Sequence, residues 1–285
     1  MMFKSSEGGM VVAKVMGGLG NQLFIYAAAK RLSVISDAPL RLDTISGYTE
    51  DTYDRTYSLN HFWIDEEHAT SKEVDELNLG KRRNLQYHVN KVLPFRYKRF
   101  IREDKLFDPR LLDLRVVNKV YLEGYWQNEN YFKDIEPIIR KNLEIVSPHD
   151  HANIELAKIM SGSNSICLHA RRVNYEYLLA SAYYDLAIKH MASKVANPHF
   201  FCFSDDIGWI RNNVSIDWPV TYIAQNKESK DYEDFWLMTQ CRHYIISNST
   251  FSWWGAWLNA NPSKIVIAPK SWGYRAAVPK EWVIL

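Results

Sequence analysis

Three stretches in the second half of the chain decide its fold: SICLHARR at residues 165–172, FFCFSDD at residues 200–206 and YIISNST at residues 244–250. Each is a short apolar run that ends abruptly in polar residues. Helical stretches follow them, at residues 182–191, directly after residue 206, and at residues 250–259. Two more apolar runs, 220–223 and 264–268, and another helical stretch, 231–241, complete an alternation of strand and helix. Strands separated by helices pair in parallel, because a parallel neighbour is reached only by a long crossover. The second half is therefore expected to be a parallel α/β sheet.

In an open parallel sheet the loops leaving the strands lie along one rim, and ligands bind in the crevice there. The unusual polar residues fall in those loops. His169, Arg171 and Arg172 follow the first strand, Ser204, Asp205 and Asp206 the second, and Asn248, Ser249 and Thr250 a later one. Two adjacent arginines offer fork-shaped donors to phosphate oxygens. Neighbouring side chains on extended backbone point opposite ways, so one of Arg171 and Arg172 is expected to face a ligand. The alternative is a pair of structural salt bridges. The Asp205–Asp206 pair can accept from a ribose or a base edge, or one of the two simply caps the next helix. Ser249, Thr250 and Ser252 open a helix, where hydroxyls and backbone N–H groups receive an anion; a plain N-cap is the competing reading. The run FSWWGAWL at residues 251–258 reads as core. Gly255 inside it costs ~1 kcal/mol relative to Ala, which points to close approach of a backbone or a ligand, or to tight packing.

The first half is less regular. Residues 11–16 are β-prone, Gly17, Gly18 and Gly20 make a turn, and residues 21–32 read as a helix with Asn21 as its N-cap. The turn is neither a dinucleotide fingerprint nor a Walker loop. Residues 45–115 show weak periodicity and few elements are placed there; residues 120–124 read as a strand. The turn-prone SPHD at residues 147–150 divides the chain into domains 1–148 and 149–285.

Composition narrows the class. The chain has 285 residues, 47% hydrophobic and 24% charged, as in ordinary globular proteins. A net charge of +2 lacks the basic field of a nucleic-acid binder, so no nucleic-acid partner is expected. Cys167, Cys202 and Cys241 sit in apolar stretches without a CxxC pair, which reads as inert reduced thiols. The first ten residues lack the apolar stretch of a signal peptide, and no apolar run approaches the ~20 residues that span a bilayer. A cytoplasmic protein working at the inner membrane face is expected.

The chain resembles the bacterial α-1,2-fucosyltransferases, of the glycosyltransferase family 11 type, over most of its length. The resemblance is carried by GGLGNQLFIYAAAKRL (17–32), LEGYWQNENYF (122–132), LHARR (168–172), FSDD (203–206) and SNSTFSWWGAWLN (247–259). It implies a GT-B-like α/β fold of two Rossmann-like domains facing a central cleft. Residues 1–148 would lie on the acceptor side, and residues 149–285 would bind the GDP-sugar. It implies inverting transfer of L-fucose from GDP-β-L-fucose to the 2-hydroxyl of a β-galactoside, in surface glycan or O-antigen synthesis. No metal or other cofactor is implied. The implied partner is a galactose-containing acceptor glycan, with peripheral association with the inner membrane where that acceptor is lipid-linked.

Carried over to this chain, Arg171 is the implied catalytic residue, stabilising charge on the departing GDP. Donor-binding roles are implied for His169, for Asp206 at the guanine, for Ser249, Thr250 and Ser252 beside the phosphates, and for Asn21 in the Gly-rich motif. The general base is unassigned. Glu123, Asp43 and Asp54 lie in the acceptor half, and a structural role is expected for each. One departure stands out. The family continues HxRRGD, whereas this chain has Arg172-Val173-Asn174, which keeps hydrogen bonding but loses charge and basicity. The alternatives are the same fold using another GDP-deoxysugar, an inactive sugar-nucleotide-binding protein, and a metal-dependent transferase using Asp205 and Asp206.

Overall fold

A computed structural model describes residues 8–79, 85–173, 175–226, 230–270, 272 and 278–285. The chain divides into two compact units, Met1–Glu144 and Ile145–Leu285. The SPHD break begins just inside the second.

The first unit runs β1 (Met10–Lys14), α1 (Leu19–Ser36), β2 (Leu40–Asp43), β3 (Glu67–His68), α2 (Ser71–Leu77), α3 (Leu85–Val92), β4 (Phe100–Arg102), α4 (Arg110–Asp113), β5 (Lys119–Glu123) and α5 (Glu136–Asn142). The sheet order is β3-β2-β1-β5-β4, with every pairing parallel. Val11, Val12 and Ala13 of the central strand are wholly buried, as expected where helices cover both faces. Helix α1 is buried along most of its circumference, which marks a core helix rather than a surface one.

The structure corrects one expectation here. Helix α1 begins at Leu19 with Gly18 as N-cap, so Asn21 lies inside the first turn and is not the N-cap. Gly17 at φ 74° turns the chain directly off β1, and the helix starts before Asn21 is reached. The segment 45–115, where few elements were expected, holds β3, α2, α3, β4 and α4. These are too short for a periodic pattern to stand out. Helix α2 instead starts on a capping box formed by Thr70 and Glu73.

The second unit runs α6 (His151–Ser161), β6 (Asn164–Ala170), α7 (Ser181–Ala192), β7 (Pro198–Ser204), α8 (Ile207–Asn213), β8 (Val220–Ile223), α9 (Asp231–Thr239), β9 (His243–Ile245), α10 (Thr250–Leu258), β10 (Val266–Ala268) and β11 (Val283–Ile284). All the strands and helices expected there are present; α6 and β11 were not anticipated. The order β11-β10-β9-β6-β7-β8 is wholly parallel. Counted from β6 in chain order, it is the 3-2-1-4-5-6 order of a Rossmann sheet. Tyr184, Ala187, Ile188 and Met191 of α7 pack on Ile166, Leu168, Phe200 and Cys202. Gly255 of α10 faces α9, where an added Cβ would lie 3.1 Å from Met238 Cβ, so tight packing explains it. Trp253, Trp254 and Trp257 are core. All three cysteines are free and buried, and burial pushes the thiols of Cys167 and Cys202 up, away from the reactive thiolate.

The chain entering this unit is strapped to α9. The buried Glu233 carboxylate accepts from Asp150 N at 2.8 Å and meets His149 Nδ1 at 3.0 Å. The His149 ring stacks on Trp236 at 3.7 Å. Among the described residues, no helix is long and apolar enough to cross a membrane.

The loop leaving β5 is tightly constrained. Trp126 is held at φ 55°, where a bulky side chain is rarely found. Glu103 holds it there, accepting from Tyr125 N at 2.7 Å and Trp126 N at 3.0 Å. Gly124 makes room, since a Cβ there would sit 2.3 Å from Glu103 Cβ. We expect Glu103→Ala to cost about 2–4 kcal/mol in urea unfolding, because two charge-assisted bonds vanish from a strained turn. A loss below about 0.5 kcal/mol would show that the turn holds itself.

Candidate functional site

Strand β6 lies between β7 and β9, where the order of the second sheet reverses. The loops after these three strands flank the crevice in which such sheets bind ligands. The register pairs Leu168 of β6 with Ile245 of β9 and His169 with Phe203 of β7. The residues just beyond those pairs therefore meet at the rim.

Asp205 organises this rim. Its Oδ1 accepts from Arg172 N at 2.7 Å, and its Oδ2 from Val173 N at 3.0 Å and Arg171 Nη1 at 2.9 Å. One carboxylate thus fixes both the backbone after β6 and the first arginine. Ser204 adds a second tie, donating to Ala170 O at 2.7 Å and accepting from Asp206 N at 2.9 Å.

The two arginines separate as the alternation expects. Arg172 turns back into the protein, where its Nη1 donates to Leu179 O at 2.7 Å. Its guanidinium lies 3.7 Å over the Trp209 ring. Arg171 stays at the rim, about one third exposed with a side-chain exposure of 34%, and carries the single carboxylate partner described above.

His169 ends the apolar run of β6 and is buried. Its Nδ1 meets Ser247 Oγ at 3.0 Å. Burial first, and the Arg171 charge second, lower its pKa from 6.5 to about 3. The imidazole is therefore neutral at working pH, a shaped hydrogen-bonding group and not a cation. The loops after β6 and β9 are also bolted together. The Tyr175 hydroxyl donates to Asn248 O, and Asn248 Nδ2 donates to Tyr177 O at 2.8 Å.

Ser249 occupies the N-cap of α10, yet its side chain makes no capping bond. Thr250 is the first helical residue. Ser252 is buried in the first turn, with its Oγ donating to Ser249 O at 3.3 Å. Asp206 is the N-cap of α8, with Oδ1 accepting from Trp209 N at 2.9 Å. The simpler reading of one aspartate as a helix cap thus describes Asp206, while its Oδ2 takes no part in the cap. Both members of the 205–206 pair are engaged by protein donors. Asn174 lies outside the described residues.

In the first unit, Asn21 sits in the first turn of α1, where its Oδ1 accepts from Gln127 Nε2 at 2.8 Å. Two of the three acidic residues weighed as bases, Asp43 and Glu123, are occupied. Asp43 is buried and accepts from Ile45 N at 3.2 Å, Ser46 N at 3.0 Å, the Ser46 hydroxyl, and Tyr121 OH at 2.5 Å. Glu123 sits between Lys14 at 2.7 Å and Arg102 at 2.6 Å. Burial pushes its pKa up, but the bonds from the two cations outweigh that and hold it below the usual range. Asp54 lies in an exposed left-handed turn at φ 52°.

Sequence reasoning placed Asp205 and Asn248 at the rim without giving them these structural roles, and it did not name Ser247. Each stands just past a strand, and that position is the one signal the sequence carries for them.

The sequence profile of glycosyl transferase family 11 matches residues 71–284. An α-1,2-colitosyltransferase of Escherichia coli is 32% identical over 295 aligned positions, covering 96% of this chain and 98% of that one. The O-antigen biosynthesis glycosyltransferase WbnK of Escherichia coli is 30% identical, covering 90% of this chain and 92% of its own. The crystal structure of NodZ α-1,6-fucosyltransferase soaked with GDP-fucose aligns with a TM-score of 0.58 at 16% identity, over 88% of this chain and 93% of that one. At that identity the likeness concerns the fold, an α/β GT-B-like arrangement built from two parallel sheets.

The His169 environment makes stability depend on pH. The folded imidazole resists protonation down to about pH 3, while the unfolded chain takes that proton near 6.5. Between these values the unfolded state binds the extra proton, so stability is complete above about pH 6.5 and falls as pH drops toward 3. His169→Asn should flatten this decline by up to about 2 kcal/mol between pH 7 and pH 5, measured by urea unfolding. An identical pH profile in the variant would mean that His169 is not held neutral.

Proposed function

The chain belongs to glycosyl transferase family 11, and on that premise we propose that it moves L-fucose from GDP-β-L-fucose to the 2-hydroxyl of a galactoside in an O-antigen-type surface glycan, with inversion. The observation that carries this reading is Arg171, presented at the switch point of a Rossmann sheet by Asp205 beside a neutral, buried His169.

In this mechanism the acceptor oxygen attacks the anomeric carbon as the bond to GDP breaks. One displacement converts the β donor into an α product. Negative charge grows on the departing diphosphate, and the Arg171 guanidinium faces it with preorganised N–H donors. The N-terminus of α10, with Ser249, Thr250 and Ser252, receives phosphate oxygens through backbone N–H groups and hydroxyls. Asp206 reads the guanine through the oxygen its helix cap leaves over. Neutral His169 adds no second positive charge beside Arg171. Asn21, in the first turn of α1, keeps the donor-binding role that the resemblance implies. Arg171 takes the place a metal holds in metal-dependent transferases, and full activity in EDTA is expected. Asp43 and Glu123 are saturated by their own partners and supply no base, so the acceptor proton leaves by another route or late in the reaction.

A second reading is favoured by the colitosyltransferase relative: the same chemistry with a GDP-deoxysugar other than fucose. Arg171, Asp206 and the α10 residues address the nucleotide and its phosphates, which the two donors share. Turnover of GDP-fucose against GDP-colitose, with the linkage assigned by NMR, decides between them. Turnover of either donor rejects an inactive binding protein, the alternative that Asn174 raises.

The two arginines should part in mutagenesis. Arg171→Ala is expected to lower kcat at least about 100-fold with an unchanged unfolding midpoint. Arg172→Ala is expected to destabilise by about 1 kcal/mol through the lost Trp209 stack and the Leu179 bond. Near-normal turnover in Arg171→Ala would remove Arg171 from the mechanism.

A further inference from the structure

Helix α3 turns an apolar stripe outward. Leu85, Val89 and Val92 are 79%, 45% and 82% exposed, and their spacing puts them on one helical face. The opposite face is fixed to the first unit. Asn90 is buried, its Nδ2 donating to Phe100 O at 2.7 Å and its Oδ1 accepting from Arg99 N at 2.9 Å and Phe100 N at 3.1 Å. Tyr87 packs against the Leu77, Leu79 and Phe100 cluster. These contacts hold the stripe toward solvent.

Charge is concentrated in the same segment. Residues 85–102 contain Lys91, Arg96, Lys98, Arg99 and Arg102 and no Asp or Glu, in a chain whose net charge is only +2. Arg99 pairs with Glu76 and Arg102 with Glu123. Among the described residues, no carboxylate pairs with Lys91, Arg96 or Lys98. Lys91 lies 4.8 Å over the Tyr87 ring, and Arg96 lies 4.8 Å over the ring of Tyr97, which is itself exposed.

A protein partner would select against lysine at the centre of its contact. Aliphatic side chains flanked by unneutralised cations and an exposed tyrosine suit the boundary between anionic headgroups and acyl chains. We propose that α3 and residues 93–98 dock on the surface of an anionic lipid bilayer. This deepens the membrane association that the resemblance implies where the acceptor is lipid-linked, and rests on the functional reading only for the acceptor.

The test is cosedimentation of the full chain with vesicles of phosphatidylcholine alone or with one third phosphatidylglycerol. Binding to the anionic vesicles is expected, weakening as salt rises. Replacing Lys91, Arg96 and Lys98 together by Gln should lower partitioning on the order of a hundredfold. Leu85→Glu with Val92→Glu should abolish it. In both variants GDP binding by calorimetry and transfer to a soluble galactoside should match the parent chain, which shows that they fold. A parent chain that stays in the supernatant at low salt overturns the proposal. So does wild-type partitioning by the triple Gln variant, or a dimer that Leu85→Glu disrupts without any vesicle binding. Failure of the parent chain to bind GDP would instead sink the functional reading and leave the vesicle result standing.

Discussion

Six strands that all run one way place every loop after a strand of the second unit on a single rim. The order of those strands then reverses at β6, and the reversal leaves a crevice between the loops after β6 and β9. The remaining features of the site follow from this constraint. A strand buried on both faces must be apolar almost to its end, so its functional residues are the last in the strand and the first beyond it. His169 is the limiting case. It lies still within the sheet, where burial strips it of charge and Ser247 gives it a partner.

Two adjacent arginines after β6 would repel each other and wander if left to solvent. Asp205 prevents this by pinning the backbone of one and the guanidinium of the other. Arg172 is drawn off by Trp209 and the Leu179 carbonyl. The result is an oriented cation at the rim, Arg171, with its cost of ordering met at folding rather than at ligand binding. Tyr175 and Asn248 then tie the loops on either side of the crevice, so the cation and the N-terminus of α10 belong to one stiff frame.

The first unit solves a different problem. Its five parallel strands are short, and much of its chain lies in brief elements held by polar clasps. Asp43 gathers a turn after β2, Glu103 holds the strained turn after β5, and Asn90 fastens α3 to β4. All three clasps are side-chain bonds to backbone; that of Asp43 is local, while those of Glu103 and Asn90 join residues well apart in sequence. They also decide which faces remain outside, as on α3, where the clasp on Asn90 leaves Leu85, Val89 and Val92 turned outward.

The alternation of strand and helix in residues 165–268, and hence the parallel sheet with its polar rim, was legible in the sequence because burial on two faces imprints itself as unbroken apolar runs. The separation of Arg171 from Arg172 was legible as well, since it follows from the alternation of side chains along extended backbone. The start of α1 was misread at Asn21, because a glycine turn and an asparagine cap offer competing beginnings a few residues apart and only the observed φ of Gly17 decides between them. The short elements of residues 45–115 left no periodic trace. Which carboxylate would organise the rim, and that Asp206 would close a helix while Asp205 gripped the loop beside it, was decided by tertiary structure alone. Adjacent acidic residues look alike in one dimension, and their roles diverge when the neighbouring strand brings Arg171, Arg172 and Val173 within hydrogen-bonding reach of one of them.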